Sequence, residues 1–109
     1  MSKSTRAKVK ATVLANERDV FNSDVPGAYL IDAGPAELGF ATIIYVCPCG
    51  CGEKNSLPIA TGEKKPQYWQ WNGELTNVTL TPSIKRMDGC KYHGFLTKGE
   101  WYFAGDSGK

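Results

Sequence analysis

Three cysteines stand at alternate positions in Cys47-Pro48-Cys49-Gly50-Cys51-Gly52, and a fourth, Cys90, lies far downstream. This crowding constrains the chain more than any other feature. Neighbours at i and i+2 make strained disulfide partners, and a disulfide framework spreads its cysteines along a secreted chain. No export signal is readable: Lys10 interrupts the apolar stretch Val9–Ala15, and no small-residue cleavage site follows. Clustered thiols in such a chain point to metal rather than to disulfides, and to the cytoplasm.

His93 is the only histidine and follows Cys90 by three residues, in Cys90-Lys91-Tyr92-His93-Gly94. That spacing is a chelating pair. Cys47, Cys49, Cys51, Cys90 and His93 therefore offer five donors to a centre that takes four. Cys90 and His93 with two of the three upstream cysteines are expected to close a tetrahedron. The glycines between them allow tight turns and let backbone amides approach the sulfurs. Zinc suits this donor set, and an iron–sulfur cluster is the alternative.

The remaining pattern is mainly β, and it predicts a small antiparallel sheet or barrel stabilised by the metal. Gly39–Cys47 is rich in β-branched and aromatic residues on both faces, as in a buried strand, and delivers Cys47 at its end. Ala28–Asp32, Ser56–Ala60, Tyr68–Trp71 and Leu75–Thr81 read as further strands. Asn72-Gly73 signals a hairpin between the last two. Pro82-Ser83-Ile84 is expected to leave the sheet, because proline cannot donate to a ladder. Gly94–Thr97 and Glu100–Ala104 form a final hairpin across Lys98-Gly99. Val9–Ala15 fits either a strand or a helical turn, and Ala33-Gly34-Pro35 a turn. One domain is expected over residues 9–104, with a disordered basic tail at 1–8 and a frayed tail at 105–109.

Composition excludes some functions. Net charge is only +2, too weak to announce a nucleic-acid binder. The first ten residues carry Lys3, Arg6, Lys8 and Lys10 and no acid, a pattern of a solvated tail. The pairs Lys64-Lys65 and Lys85-Arg86 read as solvated turns. The longest apolar run, Ala41–Cys47, falls far short of the ~20 residues that span a bilayer. Trp69, Trp71 and Trp101 are expected to pack in the core and across strands. Ser83 offers a hydroxyl, but the metal reading leaves no histidine to activate it.

The block CPCGCG, with Trp69-Gln70-Trp71, Leu80-Thr81-Pro82-Ser83-Ile84 and Cys90-x-x-His93, resembles a family of small bacterial and phage proteins of unknown function. The resemblance runs from about Pro26 to Phe103. It implies metal binding, and some bacterial relatives lie beside ubiquitin-like conjugation genes. Cys47-x-Cys49 and Cys90-Lys91-Tyr92-His93-Gly94 also resemble in part the two ligand loops of Rieske proteins, with Cys49 where those have histidine. The fold implied is Rieske-like or zinc-ribbon-like. The function expected is a zinc-binding accessory or host-interaction protein, phage-encoded, acting on a protein partner, with no nucleic acid or membrane. The alternatives are Rieske-like electron transfer or redox sensing, and a zinc hydrolase with a base such as Glu53.

Overall fold

The computed structural model of the chain describes residues 8–32, 40–61, 68–86 and 89–107. The expected turn at Ala33-Gly34-Pro35, the Lys64-Lys65 pair and most of the basic tail lie outside the described residues. Among those described, the fold is nine strands and one short helix. In chain order they are β1 (Lys8–Lys10), β2 (Thr12–Val13), α1 (Glu17–Phe21), β3 (Ala28–Asp32) and β4 (Ala41–Val46). They continue with β5 (Lys54–Ala60), β6 (Trp69–Trp71), β7 (Leu80–Lys85), β8 (His93–Thr97) and β9 (Glu100–Phe103).

All nine strands form one sheet in the order β1-β9-β8-β7-β6-β5-β4-β3-β2. Its two edges are consecutive in the chain. Ala11 alone separates β1 from β2, so one segment pairs with β9 on one side and with β3 on the other. Ala11 N–H donates to the Gly99 carbonyl at 2.8 Å and Leu14 N–H to the Tyr29 carbonyl at 2.8 Å, which carries the segment across the seam. The sheet is thereby curled into a nearly closed barrel, which removes the exposed edges that invite aggregation. Pairing is antiparallel as expected, except for the parallel pairs β2/β3 and β5/β6.

Strand β4 shows why apolar residues occupy both of its faces. Ile43 and Tyr45 point into the barrel core with Tyr29, Ile59, Leu80, Ile84, Leu96 and Trp101. Ile44 and Val46 point outward, where Val20 of α1 and Ala28 cover them. The helix is a single turn that periodicity could not announce. Its start is set by Asn16, whose side chain accepts from the Asp19 N–H at 3.0 Å. Trp101 is fully buried, with its indole N–H on the Gly27 carbonyl at 2.9 Å, and Trp69 and Trp71 pack half-buried against the same core.

Two expectations fail around β7. Asn72-Gly73 does not make a two-residue hairpin turn. The Asn72 side chain instead organises a longer loop, accepting from Glu74 and Thr79 N–H groups at 3.1 and 3.2 Å and donating to the Asn77 carbonyl at 2.9 Å. Strand β7 accordingly starts at Leu80, not Leu75. It then runs straight through Pro82 and Ser83. The ladder with β8 is irregular between Leu80 and Ile84, and the cis Thr81–Pro82 peptide lies within that stretch. A bulge frees the proline position from donating, so the strand survives.

Gly94 on β8 is a packing requirement. A Cβ there would run into the carbonyl oxygen of Tyr102 and the hydroxyl of Tyr92, which itself donates to that carbonyl at 2.7 Å. Gly94→Ala is expected to cost about 3 kcal/mol by overpacking, a fall of roughly 15 °C in melting midpoint. Gly105→Ala has open space around it and serves as the neutral control. Equal melting curves for the two variants refute this assignment.

Candidate functional site

The loop that follows β4 turns tightly enough to bring its thiols inward. Cys47 N–H donates to the Glu53 carbonyl at 2.8 Å and Gly50 N–H to the Cys47 carbonyl at 3.3 Å. Gly50 and Gly52 take φ of 94° and 85°, conformations that a side chain would strain. Cys90 arrives from the turn between β7 and β8. The four sulfurs of Cys47, Cys49, Cys51 and Cys90 all lie within 4.8 Å of one another, and none is in a disulfide. Cys47 Sγ is 3.4 Å from both Cys49 Sγ and Cys90 Sγ.

Four thiolates around a bound cation at about 2.3 Å stand roughly 3.8 Å apart, so the cluster has the spacing of a tetrahedral metal centre. Its electrostatics agree. Burial first, then its cysteine neighbours, push the Cys47 thiol up and the Cys49 thiol up to about 11. Burial also opposes ionisation of Cys90, but hydrogen bonds from Cys49 and Cys47 outweigh it and hold that thiol below its ordinary value. A thiolate at Cys90 makes Cys47 and Cys49 keep their protons. Full ionisation needs a cation among them. Arg86 supplies positive charge from outside, bonding Glu53 at 2.6 Å and reaching Cys47.

His93, expected as a ligand, is not in this group. Lys91 adopts a left-handed φ of 56° between Cys90 and His93, and the strand begins at His93 itself. The turn separates the two donors that the spacing paired. The four cysteines gather without His93.

The imidazole instead lies over β7. His93 Nε2 is 3.1 Å from Ser83 Oγ, and His93 Nδ1 is 2.5 Å from Asp106 Oδ1. An ionised carboxylate only accepts, so Nδ1 carries the proton and Nε2 is left to accept from the serine hydroxyl. The hydrogen bond from His93, aided by the Lys85 ammonium, holds the Asp106 carboxyl below its ordinary range. Ser107 Oγ takes the His93 backbone N–H at 3.1 Å, and the Ala104 N–H donates to the His93 carbonyl at 2.8 Å. Residues 105–107, expected to fray, thus form a turn docked on β8.

Ser83 is fixed from behind, where the Trp69 indole N–H donates to its carbonyl at 3.1 Å. Lys85 and Arg86 are not a solvated turn either: Lys85 ends β7 beside Asp106 at 3.6 Å, and Arg86 faces Glu53. A hydroxyl, an imidazole and a carboxylate thus stand in successive hydrogen-bond contact, an arrangement able to do the chemistry of a serine hydrolase.

A family model described as the bacterial ubiquitination-like system serine protease, BubE, matches residues 17–104. The chain belongs to this family. No curated protein and no solved structure matches it. The BubE match includes the four cysteines, Ser83 and His93, and ends short of Asp106. A serine followed ten residues later by the chain's sole histidine was visible in the sequence, whereas Asp106 sat in a polar stretch without pattern. Among the described residues no helix is long and apolar enough to cross a membrane.

Proposed function

We propose that this chain is a serine protease that cuts the C-terminal tail of a ubiquitin-like protein, or the bond joining that tail to a target. The observation that carries the reading is the contact of Ser83 Oγ with His93 Nε2 at 3.1 Å, backed by Asp106. The family's description, a protease of a ubiquitination-like system, supports the class of substrate. Ser83 Oγ attacks the carbonyl carbon as His93 Nε2 takes its proton. The carbon–nitrogen bond breaks as His93 returns that proton to the leaving amine. Water, deprotonated by the same nitrogen, then releases the acid and restores the serine. Asp106 holds the ring in the reactive tautomer throughout.

The cysteine centre is proposed to hold zinc. A closed set of four sulfurs leaves no open position for water, so bound zinc supplies folding energy rather than chemistry. A cluster with several irons and sulfides between its thiolates would hold them farther apart, and His93 is engaged elsewhere. These points favour zinc over an iron–sulfur cluster, and a structural role over a zinc hydrolase.

A fluorophosphonate, which phosphonylates activated serines and needs no knowledge of the substrate, tests the protease reading. The purified protein should gain one probe mass per chain, and peptide mapping should place it on Ser83. An unlabelled protein, or a label on another residue, overturns the reading.

A further inference from the structure

Both carboxylate oxygens of Asp106 are engaged. Oδ1 meets His93 Nδ1 at 2.5 Å, and Oδ2 faces Lys85 Nζ at 3.6 Å. Lys85 is the ladder partner of His93 and lies two residues beyond Ser83 on β7. The sheet therefore sets the ammonium beside the acid, the base and the nucleophile at once. Asp106 needs such a tether. It sits on a turn after the last strand, and its side chain is 55% exposed. A half-exposed aspartate has rotamers that lead into water, where it orients nothing.

Resting on the protease reading above, we propose that Lys85 is a positioning residue. Its ammonium pins the second oxygen of Asp106 and so keeps the first on His93. Around the ring stand Ser83 and Lys85 from β7, Asp106 and Ser107 from the turn, and Phe95 from its own strand, 6.4 Å away between ring centres. Arg86, the next cation along, is turned to Glu53. Among the described residues Lys85 is thus the cation set against Asp106.

The rate of Ser83 labelling by a fluorophosphonate reads the effect. Lys85→Met should label about tenfold more slowly. Lys85→Arg should restore the rate, because it carries the same charge to the Asp106 carboxylate. Melting curves of the three proteins should coincide, since Lys85 is an exposed strand-end residue. A Lys85→Met protein that labels at the parent rate overturns the proposal. So does a slow variant that arginine does not rescue, because that is general damage. Absence of any Ser83 label in the parent protein would instead sink the protease reading on which the proposal rests.

Discussion

Replacing Ser83 by alanine is expected to lower proteolysis by a factor on the order of 10⁴ or more, because the attacking oxygen is gone and only binding remains. His93→Ala should cost as much, since no second histidine exists to take the proton. The double variant should be no worse than either single one, as the two groups act in one step. Asp106→Ala should be milder, about 10²- to 10³-fold. Its carboxylate is half exposed, and water can replace part of its effect on the ring. The assay is release of a reporter fused behind the C-terminal tail of a ubiquitin-like protein, with folding checked by melting. Full activity in Ser83→Ala would end the serine mechanism. Full activity in Asp106→Ala would reduce the triad to a Ser83–His93 pair.

The distribution of these roles explains what the sequence could and could not disclose. Strand β4 was legible because burial on both faces writes a continuous apolar run, and the β8–β9 hairpin because Lys98-Gly99 supplies the positive φ its turn requires. The thiol cluster was legible because alternation in a glycine-rich loop fits nothing else well. The place of His93 away from the sulfurs is not legible, because Cys-x-x-His is a spacing that chelation and chance share. What separates them is one left-handed residue, Lys91, and the long-range pairing of β8 with β7, neither of which local pattern reports. The Ser83–His93 contact is hidden for the same reason. With the only histidine read as a ligand, no base remains in the sequence. Asp106 reaches the site only through the docking of residues 105–107 on His93, a tertiary contact in a stretch whose composition reads as a tail.

The cysteine centre and the triad are joined by the turn between β7 and β8, and this sets the second large effect. Ser83 lies three residues before Arg86, which bonds Glu53 of the cysteine loop and whose N–H holds the Tyr92 carbonyl at 2.8 Å. His93 lies three residues after Cys90. The segment that carries Cys90 thus connects the strand of Ser83 to the strand of His93.

Removing the metal with a strong chelator is expected to lower the melting midpoint by at least about 15 °C, or to abolish cooperative unfolding, because structural zinc contributes on the order of 10 kcal/mol to small folds. Labelling of Ser83 should fall with it, and both should return when zinc is restored. Serine changes at Cys47, Cys49, Cys51 and Cys90 should each lose stoichiometric metal, since each supplies one of four donors and the described residues place no fifth beside them. Cys47 should be the most damaging, being fully buried in the barrel core as well as a donor. His93→Ala should keep one metal per chain and nearly the parent melting point while losing activity. Native mass spectrometry and melting by circular dichroism read all of these. If His93→Ala loses its metal, the histidine is a ligand in solution and the division between a structural cysteine centre and a Ser83–His93–Asp106 site is wrong. If any one cysteine variant keeps full metal, the centre is not a four-sulfur tetrahedron of Cys47, Cys49, Cys51 and Cys90.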